Sequence, residues 1–207
     1  MLGPGRGVDA RILLVGAPGS GKGTQAELLC QRLGLVHVST GDMLRAAAKE
    51  QTLIGATVRG TIAEGALVSD RIVFDLVCRR LEPMDRAGVG FVLDGYPRTL
   101  TQLMDLQHLL RRDGIDRAIE LTVPSSVLVD RLTERGRADD GATVVQHRLL
   151  SHEEETAPMI MALRSQGKLA VVDGSMGVCD VHEAIVRELA RAGLVASHDH
   201  LRDAAAL

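Results

Sequence analysis

The residues most able to do chemistry stand near the amino end, where Gly16-Ala-Pro-Gly-Ser-Gly-Lys-Gly-Thr24 follows the apolar run Ile12-Leu13-Leu14-Val15. A buried strand that breaks into a glycine-rich turn and then a helix forms a phosphate cradle. Backbone N–H groups crowd around the phosphate oxygens, and the helix directs its positive end at them. Lys22 is placed to reach terminal phosphates, and a nearby hydroxyl to meet magnesium. That hydroxyl usually follows the lysine directly; here Gly23 intervenes and Thr24 supplies it. The alternative, a plain glycine-rich turn, accounts for neither the strand nor the lysine, so the segment implies a nucleoside triphosphate site.

Arginine placement adds a second set of candidates: Arg45, Arg98, Arg131, Arg135, Arg137 and Arg148. Any one alone reads as a surface charge. Gathered at strand ends and bends around a phosphate loop, they imply clamps for a polyphosphate, because guanidinium forks hold phosphate oxygens at two points. Asp94, directly after Phe91-Val92-Leu93, stands where a carboxylate can hold magnesium through water. The competing reading for Asp94 is a helix N-cap.

The elements that must position these groups follow from alternation. Strands are predicted at 11–16, 35–38, 90–94, 118–122 and 169–173, and helices at 21–33, 40–50, 53–64, 70–82, 100–112, 125–134, 143–165 and 180–192. This pattern predicts an α/β fold with a parallel five-stranded sheet covered by helices on both faces. The motifs at 16–24, 39–45 and 94–98 all follow strand ends, the edge at which such sheets bind ligands, so they can share one cleft. A helical insertion at about 40–69 opens on Ser39-Thr-Gly-Asp42, a helix-start signature. A polar bend at 135–141 separates two helices. Both read as flaps, whereas 1–9 and 193–207 read as tails.

Composition narrows the function. The net charge of −3 offers no basic field for nucleic acid, and two Phe, one Tyr and no Trp supply no base-stacking platform. No run is long enough to span a membrane, and residues 1–10 lack a signal-type apolar segment, so a cytoplasmic protein is expected. The three cysteines, Cys30, Cys78 and Cys179, are unpaired in pattern and read as buried structural thiols. No zinc site is expected: Thr156 stands where the His152-Glu-Glu-Glu stretch would need a second histidine, and Ser197-His-Asp-His200 reads as solvated tail.

Taken in order, the motifs resemble those of the adenylate kinases over about residues 10–192. The phosphate loop is Gly16 to Gln25, the S-T-G-D-M-L-R segment is Ser39 to Arg45, and L-D-G-Y-P-R-T-x-x-Q is Leu93 to Gln102. Gly136-Arg-Ala-Asp-Asp140 with Arg148, Thr156-Ala-Pro-Met-Ile160 and Asp173-Gly-Ser175 complete the set. The resemblance implies a P-loop NTPase fold with a nucleoside-monophosphate-binding insertion and a very short lid at 135–142. It implies the reaction ATP + AMP ⇌ 2 ADP with magnesium, by in-line transfer without a covalent intermediate, in a protein that is commonly monomeric.

By this resemblance, Gly19, Ser20, Gly21, Lys22, Gly23, Thr24, Arg135 and the backbone at Met176 would bind ATP. Thr40, Arg45, Ala66, Leu67, Val68, the Gly95-Tyr96-Pro97 turn, Arg98, Gln102, Arg137 and Arg148 would bind AMP, with Gln102 reading adenine. Lys22, Arg98, Arg135, Arg137 and Arg148 would stabilise the transferring group, and Thr24 and Asp94 would lie near magnesium. The chain departs from the family in its minimal lid, in Gly141-Ala-Thr143 after Asp140, in Ser69 and Arg71, and in Met161-Ala-Leu163. Two alternatives are a pyrimidine nucleoside monophosphate kinase, which Thr40 and Thr99 argue against, and a weakly catalytic adenine-nucleotide-binding module.

Overall fold

The computed structural model describes residues 8–64, 68–110, 114–136 and 142–196. The order is β1 (Arg11–Val15), α1 (Lys22–Leu33), β2 (Val36–Ser39), α2 (Thr40–Lys49), α3 (Leu53–Ala63), α4 (Asp70–Ala87) and β3 (Phe91–Asp94). It continues with α5 (Leu100–Leu109), β4 (Arg117–Thr122), α6 (Ser125–Arg135), α7 (Ala142–Ser165), β5 (Leu169–Asp173) and α8 (Val178–Arg191). All five strands are parallel, in the order β2-β3-β1-β4-β5. The expected α/β sheet is thus borne out.

β1 is central and buried throughout, and its alternating side chains feed two cores. Leu13 and Val15 face one layer with Leu93, packed under α4, α5 and α7 through Val77, Leu81, Leu106 and Leu163. Ile12 and Leu14 face the other with Ile119, under α1 and α8 through Leu29, Ile185 and Leu189. This is the period-2 pattern of a strand covered on both faces, each fully buried aliphatic side chain contributing about 1.5–3 kcal/mol.

Helix starts match their sequence signals. The Ser39 side chain accepts from the Asp42 N–H at 3.3 Å, Thr52 from the Gly55 N–H at 2.9 Å, and Thr99 from the Gln102 N–H at 3.2 Å. Because Thr99 caps α5, Asp94 is no N-cap. The α4 helix runs past the predicted end at 82 to Ala87, through Pro83. Pro83 and Arg79, whose carbonyl loses its partner, both face solvent, while Leu81 and Met84 anchor the turn in the core. In the other direction, α5 ends at Leu109 rather than 112.

The thiols need a correction. Cys30 and Cys78 are half-buried, but Cys179 is exposed. The α8 stripe that packs inward is Val181, Ile185, Val186 and Leu189, and Cys179 lies two residues before it, off that face. Among the described residues, no helix is long and apolar enough to cross a membrane.

Candidate active site

The strand order decides where the motifs meet. β3 lies beside β1 and β2 beside β3, in register with Leu14 opposite Asp94 and Ser39 opposite Asp94 on the other side. The turns after these strands therefore open onto one edge of the sheet, where they bound a cleft of about 540 Å³. Its lining includes residues 18–25 of the glycine-rich turn, Asp94, Gly95, Pro97 and Met176. Five of the six candidate arginines, Arg45, Arg98, Arg131, Arg135 and Arg148, also line it. Arg137 lies outside the described residues, as do Ala66 and Leu67.

Local backbone geometry explains two of the glycines. Gly19 has φ +85°, and a Cβ there would stand 3.0 Å from Leu132 Cγ. Gly95 has φ +83°, and a Cβ would stand 2.7 Å from Thr40 Oγ1. Only glycine suits a left-handed backbone pressed this closely against its neighbours. Between them the turns hold Lys22 and Arg98 in one basin.

Lys22 is folded back on its own loop, donating from Nζ to Gly16 O at 2.7 Å and Ala17 O at 3.0 Å. Burial pushes its pKa down to about 8; Asp94 opposes this, while Arg98, Arg148 and Arg135 add to it. Several cations brought to one cleft make a favourable environment for phosphate oxygens, so the basin suits a polyanion. Arg98 donates from Nε to Gly95 O at 2.8 Å, which orients its guanidinium. Arg131 donates from Nη1 to Gly174 O at 2.9 Å, and Arg45 pairs with Asp42 at 2.5 Å.

Burial would raise the Asp94 carboxyl, but facing His37, Lys22 and Arg98 hold it below its ordinary value. His37 was not among the candidates, yet its Nε2 stands 3.9 Å from Asp94 Oδ2, and that carboxylate raises the histidine's pKa. The signal was available: His37 lies two residues before Ser39 on β2, within the strand that carries a motif to the cleft.

Several candidates lie behind the cleft wall. Thr40 is buried and donates from Oγ1 to Asp94 O at 3.2 Å. Tyr96 is buried and donates its hydroxyl to Gln102 O at 3.1 Å, and Val68 belongs to the core. Gln102 is buried with both amide ends engaged. Its Nε2 donates to Asp70 Oδ1 at 2.6 Å, and its Oε1 accepts from the Arg98 N–H at 2.7 Å. Since a carboxylate only accepts and a backbone N–H only donates, these partners settle which way the amide points. Asp70 was likewise missed, because its meeting with Gln102 joins residues 32 apart.

The adenylate kinase family model matches residues 14–168, a span that contains the glycine-rich turn and most of the cleft. The chain belongs to the adenylate kinase family. It is 44% identical over 180 residues to adenylate kinase 1 of Synechocystis, covering 86% of this chain and 94% of that protein. It is 42% identical over 196 residues to an adenylate kinase of Nitrobacter winogradskyi, covering 89% of this chain and 95% of that one. With an adenylate kinase of Clavibacter michiganensis the identity is 42% over 195 residues, covering 91% and 97%. The resemblance read from the motifs is borne out, and with it the enzyme class, a nucleoside monophosphate kinase. The pyrimidine-specific and binding-module alternatives are not favoured.

Proposed function

We propose that this adenylate kinase transfers the terminal phosphoryl group of ATP to AMP, reversibly, by direct in-line displacement in the cleft at the carboxyl edge of the sheet. The observation that carries the reading is the meeting of the glycine-rich turn and Lys22 with Arg98, Arg135 and Arg148 in a single basin. In-line transfer asks the protein for alignment and for charge spread around the moving group. Both needs are met by preorganised cations on rigid turns.

Each residue takes a role suited to its place. The N–H groups of Gly19 to Thr24 receive the ATP phosphates at the start of α1, and Lys22 leaves its loop carbonyls to follow the terminal ones. Met176 offers its backbone beside the ATP base. Arg45 and Arg98 hold the AMP phosphate, with Thr40 and the Gly95-Tyr96-Pro97 turn supporting that subsite from behind. Gln102 presents adenine with the amide edge that Asp70 and Arg98 leave open. Arg135, Arg148 and Arg137 complete the clamp over the transferring group. Residues 40–69 act as the acceptor-binding insertion, whose backbone at Ala66, Leu67 and Val68 serves the AMP side, and 135–142 as a minimal lid. Of the expected tails, Val8, Leu194 and Val195 pack against the core under α1 and α8, and Val8 donates its N–H to Leu33 O at 3.3 Å; residues 1–7 and 197–207 lie outside the described residues. We take it to act as a cytoplasmic monomer, the state that membership of the family suggests.

The donor set suits magnesium. Asp94 is kept ionised, Thr24 exposes a hydroxyl to the cleft, and a Cβ at Gly23 would lie 3.7 Å from Asp94 Oδ2, so a bare glycine leaves that carboxylate approachable. Among the described residues no three His, Cys, Asp or Glu side chains gather as a metal cage, which agrees with an ion completed by water and phosphate. When bound, it would neutralise phosphate charge near Thr24 and Asp94.

ADP formation from Mg-ATP should be measured with AMP, CMP, UMP and GMP in parallel. Turnover with AMP at least about a hundredfold above the others is expected from a pocket that hydrogen-bonds its base. A preference for CMP or UMP would refute the substrate, and no turnover with any acceptor would refute the activity.

A further inference from the structure

His152 lies one turn after Arg148 and one before Thr156 on α7, and with Arg148, Ser151 and Thr156 it lines the cleft. The same face of the helix carries buried Val145, Met159 and Leu163. A histidine on such a face is ordinarily tied to a partner, because a partly buried ring N–H left unpaired is unfavourable. Here neither ring nitrogen has a hydrogen-bond partner among the described residues.

We propose that His152 is a phosphate-contacting residue of this site, donating a ring N–H to an oxygen of the nucleotide phosphate chain where the Lys22 and Arg98 subsites meet. The inference rests on the assignment of the cleft to phosphoryl transfer and adds a contact that assignment leaves out. Lys22 and Arg98 act on the ring, and charged groups of several elements line the cleft with it. Lys22 belongs to α1, Arg98 to the β3–α5 turn, and Arg148 lies one turn before the ring on its own helix. Across the cleft stand Arg131 and Arg135 of α6, Asp94 of β3, His37 of β2, and Arg45 with Asp42 of α2.

Burial, then Lys22 and Arg98, push the imidazole down to about 4, so without an anion the ring is neutral and keeps one donor. A bound polyphosphate reverses the sign of that field. The ring then gains affinity for a proton, and its hydrogen bond to phosphate becomes charge-assisted. A histidine that merely filled space would not respond to the nucleotide in this way.

Wild-type protein labelled with 15N-histidine should be titrated by NMR alone and with saturating ADP plus EDTA, in which no transfer occurs. The His152 midpoint is expected to rise by about one pH unit or more, a tenfold gain in proton affinity. A midpoint unmoved by ADP would overturn the proposal. In kinetics, His152→Phe should lose about tenfold or more in kcat/KM for AMP, the scale of one hydrogen bond to a charged group, while His152→Gln should restore most of it. Turnover of His152→Phe equal to wild type, or His152→Gln no better than Phe, would overturn the donor role. If the Phe variant fails to fold, the titration of the wild-type protein decides. Lys22→Ala serves as the control: unchanged turnover there would refute the site assignment itself, a separate failure.

Discussion

Lys22 provides a quantitative test of the cleft. Burial brings it to about 8 in the free protein, whereas a polyphosphate at hydrogen-bonding distance favours its charged form and moves it well above that. Free Lys22 is then about 90% protonated at pH 7 and about 10% at pH 9, since each unit past the midpoint is a factor of ten. ATP binds the charged form, so its Kd should rise about tenfold between pH 7 and pH 9, or about 1.4 kcal/mol. The sign is definite: affinity is full well below pH 8 and is lost as pH rises through and beyond it. Binding near pH 8.5 should also draw protons from the buffer, about three-quarters of a proton per site by the same proportions.

Isothermal titration calorimetry with ATP and EDTA, repeated in buffers of different ionisation enthalpy, reads both quantities. Cys30 is pushed up to about 11 and Tyr96 is raised too, so neither supplies this transition. Lys22→Arg supplies the control, because a guanidinium does not titrate in the range and the slope should vanish. A Kd flat within twofold from pH 7 to 9.5, or a slope retained in Lys22→Arg, would refute the argument.

Three further outcomes are expected. Arg98→Ala should lower kcat/KM for AMP by about a hundredfold or more while ATP affinity changes little; a loss under threefold in steady-state kinetics would mark Arg98 as a bystander. Asp70→Ala should free the Gln102 amide and raise KM for AMP by about tenfold with kcat largely kept, Asp70→Asn recovering much of the loss because its carbonyl can still accept; equal KM values in all three proteins would count against the arrangement. Arg11 pairs with Asp85 at 2.5 Å, both side chains nearly sealed from water, so Arg11→Met should cost about 3–5 kcal/mol by urea denaturation. Adding Asp85→Leu should recover most of that loss, and a double variant no better than the single would refute an uncompensated charge as the cause.

Much of the framework was legible from the chain. The glycine-rich turn was readable because strand, φ-positive glycines, lysine and helix are consecutive in sequence, and local chemistry needs no distant partner. Strand positions followed from apolar runs, and the helix start at Ser39 from a side chain that satisfies the N–H three residues on, the same device that the structure shows at Thr52 and Thr99. The end of α4 was misjudged because Pro83 is tolerated only where its turn faces water and its neighbours are anchored, which is a property of packing. Cys179 was misjudged by an angle about the α8 axis, which its apolar neighbours alone do not give.

The sequence by itself determined which residue types are available to hold phosphate and which strands carry them, because those signals lie within a dozen consecutive residues. Only the tertiary structure decided that β3 sits beside β1, which brings Asp94 and Arg98 to the loop that holds Lys22. It alone decided that Gln102 is pinned between Asp70 and Arg98, and that His152, with no hydrogen-bond partner among the described residues, lines the same basin. The physical reason is range. Hydrogen bonds, burial and Coulomb fields act through space between residues far apart in the chain, and their balance exists only once the sheet has chosen its strand order.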